Sequence, residues 1–103
     1  MRSVQVLRAA GRRIDAIYQY TAQRWGEEQA DAYIRKLFEY FRQIASEQVT
    51  WRPIPAVLGF NGFHGRCHQH FVYWKLLEDG SVGIVTVLHE RMHQLDQFRQ
   101  DNP

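Results

Sequence analysis

The chain has a single cysteine, Cys67, among its 103 residues, so it holds neither a disulfide framework nor a cysteine-built zinc cluster. A reducing cytoplasm is the expected setting, with Cys67 read as a small apolar residue in a strand. Long apolar runs are missing too. The opening MRSVQVLRAAGRR has no apolar core of signal-peptide length, and the longest run elsewhere, VGIVTVL, is far short of a membrane span. Neither export nor a membrane partner is expected. Charge of one sign is also scarce. The 13 Lys and Arg against 11 Asp and Glu leave a net charge of +2, which argues against a broad basic coat for nucleic acid, although Arg8, Arg12, Arg13 and Arg24 fall close together. No glycine-rich phosphate loop, nucleophile elbow or paired-carboxylate arrangement occurs. These absences point away from ordinary small-molecule enzymology and imply no cofactor. A binding protein becomes the stronger class.

What is present suits one compact domain spanning residues 1–103, with 45% hydrophobic and 14% aromatic residues. Residues 3–7 (SVQVL) alternate and predict a short strand at an edge or paired late. The period then changes. Ala10, Ile14, Ile17, Tyr18, Thr21 and Trp25 recur at helical spacing, and Gly26 follows as a left-handed cap. Glu27 and Glu28 open a second helix, with Ala30, Ile34, Leu37, Phe41 and Ile44 on one face, widened by Tyr33, Tyr40 and Ala45. Two helices joined by a glycine turn form an antiparallel hairpin.

Residues 49–65 (VTWRPIPAVLGFNGFHG) break every period and predict a loop, with at most a short strand near 57–60. Its aromatics, Trp51, Phe60 and Phe63, either cap the core from outside or line a binding surface. Residues 67–77 (CHQHFVYWKLL) read as one long strand with His68, His70, Val72, Trp74 and Leu76 on one face. A turn at 78–81 and a strand at 82–88, buried on both faces, complete the order. The expected class is α+β: a two-helix antiparallel hairpin packed on a small antiparallel β-sheet.

Residues 89–93, HERMH, match the signature with which metalloproteases hold zinc. That reading needs a helix placing His89 and His93 on one side, and a third ligand. The stretch follows directly on a strand, and Asp96 and Arg99 stand where one such family needs glycine and histidine. The zinc hydrolase is therefore the minor reading, and no metal site is expected. Metal-free acid–base chemistry on RNA is a second reading. His70 and His89 fall on neighbouring strands near Arg66 and Arg91, and histidine shuttles protons while arginine stabilises phosphate. Taken singly, each is more simply a polar residue at a sheet margin.

The helical stretch IDAIYQYTAQRWGEEQADAYIRKLFEYFRQIA, the strands HFVYWKLLEDGSVGIVTVLH and the ending HERM together resemble a ParE-type toxin of the RelE/ParE superfamily. The likeness runs from the first strand to about Met92 and includes the WG turn between the helices. It places Leu88, His89, Arg91 and Met92 on the family's usual ending, so the zinc signature arises where Glu90 and His93 flank that ending. The resemblance implies a toxin neutralised by a ParD-like antitoxin and acting on DNA gyrase by binding, with DNA engaged only through partners. RelE-branch members instead cut messenger RNA on the ribosome. The two branches share a fold, so fold does not choose between them. Only Lys36 and Lys75 are lysines, and no tyrosine follows Tyr73, which favours the gyrase branch. The nuclease alternative would use His70, His89 and Arg91. For target binding the expectation falls on Arg66, His89, Arg91 and His93, and for an apolar antitoxin groove on Trp51, Phe60 and Phe63.

Overall fold

Valines alternating with polar residues form strand β1 (Val4–Val6), and the shift to helical spacing starts helix α1 (Arg8–Trp25) two residues later. The computed structural model describes residues 2–103. Gly26, at φ 95°, ends α1 and starts α2 (Glu27–Ala45), whose first turn carries Glu27 and Glu28 against the positive end of the helix dipole. Of the stripe expected on α1, Ala10 and Ile14 are buried, but Trp25 is 66% exposed because the stripe runs off the core at the hairpin tip. On α2, Ala30, Leu37, Phe41, Ile44 and Ala45 are buried. Leu37 and Phe41 are close to fully covered, each worth about 1.5–3 kcal/mol relative to exposure.

The rest of the chain builds a five-stranded sheet in the order β1-β5-β4-β3-β2, from β2 (Arg52–Pro53), β3 (Phe63–Cys67), β4 (His70–Leu76) and β5 (Val82–His89). The sheet is mixed, since β1 lies parallel to β5, while all other pairings are antiparallel. At the opposite edge β2 is two residues long and contains Pro53, which cannot donate to a further strand.

Three local expectations need correction. Residues 67–77 are not one strand: Cys67 pairs with His70, and the chain reverses between them with His68 in the left-handed region at φ 55°. Histidine is among the few side chains that enter that region readily, and nothing in CHQHF marks a turn by composition. Residues 57–60 hold no strand; a short 3-10 turn (Ala56–Leu58) closes on left-handed Gly59. The tail after His93 forms helix α3 (Gln94–Asp101), unforeseen because Phe98 is its one buried residue.

The sheet thus separates two cores. On one face α1 and α2 meet Val72, Trp74, Val82, Ile84 and Val87. On the other, Phe98 of α3 meets Ile54, Tyr73, Val85 and Leu88, with Phe60 packed alongside. Tyr73 pairs with Thr86 but Trp74 with Ile84, so Val85 is a bulge. The extra residue puts Val85 in the second core while Thr86 reaches Asp101 of α3 with its hydroxyl at 2.6 Å.

Candidate functional site

Leu88 is fully buried, and the strand it anchors ends one residue later at His89, where the chain leaves the sheet beside the β3–β4 turn. Backbone bonds tie this exit down. The Glu90 N–H donates to the Gln69 carbonyl at 2.8 Å, and the Met92 N–H to the His89 carbonyl at 3.0 Å. Gln94 then donates to the His89 and Met92 carbonyls at 2.9 and 3.1 Å, and its own oxygen accepts from the Tyr73 hydroxyl at 2.7 Å. His93 caps α3, its Nδ1 accepting from the Asp96 N–H at 3.4 Å and lying 3.1 Å from the Asp96 carboxylate. Glu90, Arg91 and Met92 are therefore displayed on a braced turn.

The predicted residues divide between two sides of the sheet. Arg66 donates to Glu90 at 2.6 Å and lies over the Phe71 ring at 5.0 Å, which puts it with the exit turn. Arg91 and His93 are exposed on that turn, and among the described residues the Arg91 guanidinium makes no ion pair. His89 is half-buried, its Nδ1 accepting from the Arg91 N–H at 3.1 Å. These four surround one strand end.

His70 sits differently. It is buried, and its Nδ1 is hydrogen-bonded to the Tyr33 hydroxyl of α2 at 2.6 Å, while its ring meets that of His89 at right angles with centroids 5.2 Å apart. Burial, and then any charge on His89, hold the His70 imidazole down at about 4, partly offset by Glu90. Burial pushes the Tyr33 phenol up to about 12. The pair is neutral over the physiological range. By periodicity Tyr33 only widens the apolar stripe of α2; its position, with His70 across the helix–sheet junction, has no local signal.

The loop aromatics do not converge on one groove. Trp51 is 56% exposed and meets Phe63 edge to face at 4.8 Å, and Phe63 packs on the helix-side core. Phe60 lies on the other side, edge to face with Phe98 at 5.2 Å.

Residues 89–93 form a strand end, a turn and a helix cap, so His89 and His93 do not share the helical face that a zinc protease requires. Among the described residues, no three His, Cys, Asp or Glu side chains are placed to hold a metal. A family profile described as "ParE toxin of type II toxin-antitoxin system, parDE" matches residues 4–94. The chain belongs to the ParE toxin family. Toxin ParE1 of Mycobacterium tuberculosis, in strains CDC 1551 / Oshkosh and H37Rv, is 27% identical over 85 residues, or 82% of this chain and 85% of that toxin. A solved structure titled "Chromosomal ParDE TA system from P. aeruginosa" shares the fold at a TM-score of 0.68 and 18% identity, over 86% of this chain and 96% of the matched one. As a ParE-type toxin of a type II system the chain has an antitoxin for a partner. The matched stretch ends at the first residue of α3, so nearly all of that helix lies beyond it.

Proposed function

We propose that this ParE-type toxin acts in the cytoplasm by binding DNA gyrase, and that a ParD-like antitoxin neutralises it. The observation that carries the reading is the β5 exit: Arg91, Met92 and His93 stand exposed on a turn braced by Gln94, Glu90 and the His93 cap. An exposed arginine beside an apolar side chain on a rigid support is the kind of anchor that dominates interface energies. Arg66 and His89 flank it.

Binding is favoured over RNA cleavage by the state of His70. A proton shuttle needs contact with substrate and a pKa near neutral, whereas His70 is buried, held near 4, and occupied by Tyr33. Arg91→Ala is expected to raise the toxin concentration needed for half-inhibition of supercoiling by about tenfold or more, and His93→Ala by less. Cleavage-complex assays with purified gyrase read this directly. Ribosome-dependent RNA cleavage that His89→Ala abolishes, with gyrase supercoiling untouched by the wild-type toxin, would transfer the assignment to the nuclease.

For the antitoxin, the reading is an amphipathic segment crossing the β2 edge, where Trp51 and Phe63 lie on one side of the sheet and Phe60 on the other. Trp51→Ala is the clean test, because its ring is mostly exposed and its loss leaves the core intact. A loss of about 2 kcal/mol in antitoxin affinity is expected. Unchanged affinity after truncating Trp51, Phe60 and Phe63 together would overturn the reading of the β2 edge as the antitoxin surface.

A further inference from the structure

Cross-strand partners share a sheet face, so the register lays out two rows on the face opposite the helical hairpin. One row runs Arg52, His64, Tyr73, Thr86; the other runs Arg66, Phe71, Leu88. Their β5 ends are covered, with Thr86 bonded to Asp101 of α3 and Leu88 in the core that Phe98 fills. Their β2 and β3 ends are not. Arg52 and Arg66 are exposed there, while His64 and Phe71 are half-buried.

In this open part, two planar polar groups pack over aromatic rings. His64 stacks on Tyr73, with centroids 5.4 Å apart and planes at 27°, and the Arg66 guanidinium lies 5.0 Å over Phe71. The His64 and Phe71 rings are themselves 6.4 Å apart and meet edge to face at 76°, so the two stacks adjoin at a steep angle. Lys75 borders it, its ammonium 5.1 Å over Phe60. Burial, and then the charge of Arg52, lower the His64 imidazole from its ordinary value, so its outer face is that of a neutral, stackable ring. One acid opposes the cations: Glu90 engages Arg66, but as a half-exposed pair that a phosphate can displace.

We infer that the platform of Arg52, His64, Arg66 and Phe71, bordered by Lys75, binds single-stranded DNA directly. Planar groups backed by aromatic rings and set at an angle to one another suit unpaired bases splayed apart, and cations at the margin accept phosphates. An acidic peptide would satisfy the charges but leave the faces unused, and a duplex keeps its bases stacked on each other. The choice of DNA over RNA rests on the gyrase reading, since gyrase works on DNA. It replaces the expectation that DNA is engaged only through partners.

The test is fluorescence anisotropy of a labelled oligo-dT strand with the full-length toxin, in the absence of gyrase. Wild type is expected to bind with a salt-dependent affinity. Arg52→Gln should lower the log–log salt slope by about 0.7, and Arg52→Gln with His64→Ala should weaken binding about tenfold. Glu90→Gln, which frees Arg66, should tighten it. Arg24→Gln removes an equal charge from α1, at the hairpin tip, and should change nothing. Absence of salt-dependent binding, equal losses in Arg24→Gln, or equal affinity for duplex DNA would overturn the platform, and tighter binding of oligo-U would overturn the choice of DNA. Because gyrase is absent, a negative result here leaves inhibition of gyrase standing, and a toxin that binds the strand without affecting gyrase refutes the target alone.

Discussion

Replacing Phe98 by alanine is expected to lower the stability of the protein by about 3–5 kcal/mol and to release α3 from the sheet. The phenyl ring is 2% exposed and sits with centroids 5.2 Å from both Phe60 and Tyr73. It is also the one residue of α3 that is buried, and an eight-residue helix does not persist alone in water. Everything else holding the helix is polar. Arg13 of α1 donates to both Asp101 oxygens at 3.0 and 2.9 Å and to Gln97 at 2.9 Å, and Thr86 donates to Asp101 from beneath. Burial by itself would raise the Asp101 carboxyl, but the bonds from Arg13 and Thr86 hold it below the usual carboxylate value. Without Phe98 these partly buried charges become accessible to water, and the latch loses the exclusion that strengthens it. Urea unfolding gives the stability loss, and hydrogen exchange of β5 amides reports the uncovering. Arg13→Gln combined with Phe98→Ala should cost less than the two single changes added, because both free the same helix. A loss below about 1 kcal/mol for Phe98→Ala would mean that α3 is not part of the cooperative fold.

How far this architecture was legible depends on whether the deciding signal was local. The helical hairpin was readable because its stripes are periodic over many residues and Gly26 breaks them, and the last strand because residues 82–88 are apolar but for Thr86 and bounded by a turn. The reversal at His68 was not. It is made by one backbone conformation inside a stretch whose composition suits a strand, and missing it merged β3 with β4. That error had a consequence for the site. With 67–77 as one strand, His68 and His70 share a face, and His64 falls in the loop of residues 49–65; the observed register instead places His64 beside Tyr73, and Arg66 beside Phe71, on the open side. The tail hid α3 for a different reason: QLDQFRQD has a single strong apolar anchor, and its remaining ties depend on Arg13 and Thr86, distant in sequence. The residues of the β5 exit were legible because their spacing is local to the family ending. Their bracing by Gln94 and Tyr73 was not.

The second large effect is an acid sensitivity centred on His70. In the folded state its imidazole titrates at about 4, against an ordinary 6.5, so between these values the unfolded chain takes up a proton that the folded one refuses. Stability is therefore complete above about pH 6.5, falls as the pH drops towards 4, and below that point has lost the full contribution, at most about 3 kcal/mol. The groups facing the ring explain the direction. From α2, Tyr33 supplies a hydroxyl hydrogen-bonded to Nδ1; from β5, His89 lies at right angles and adds repulsion when it is charged; Glu90 alone favours the protonated form. Carboxylates also titrate in the lower part of this range, so the informative quantity is the difference between wild type and His70→Gln, measured by urea unfolding across the window. That difference should change with pH between about 6.5 and 4 and be level on either side. His89→Ala should shrink the dependence by removing the repulsion of a charged His89, whereas Tyr33→Phe should lower stability above the window, where the neutral ring loses its hydrogen-bond partner. If the difference between wild type and His70→Gln is level throughout, the ring is not held neutral by its surroundings. His70 would then regain standing as a proton carrier at the same strand end from which Arg91 is displayed.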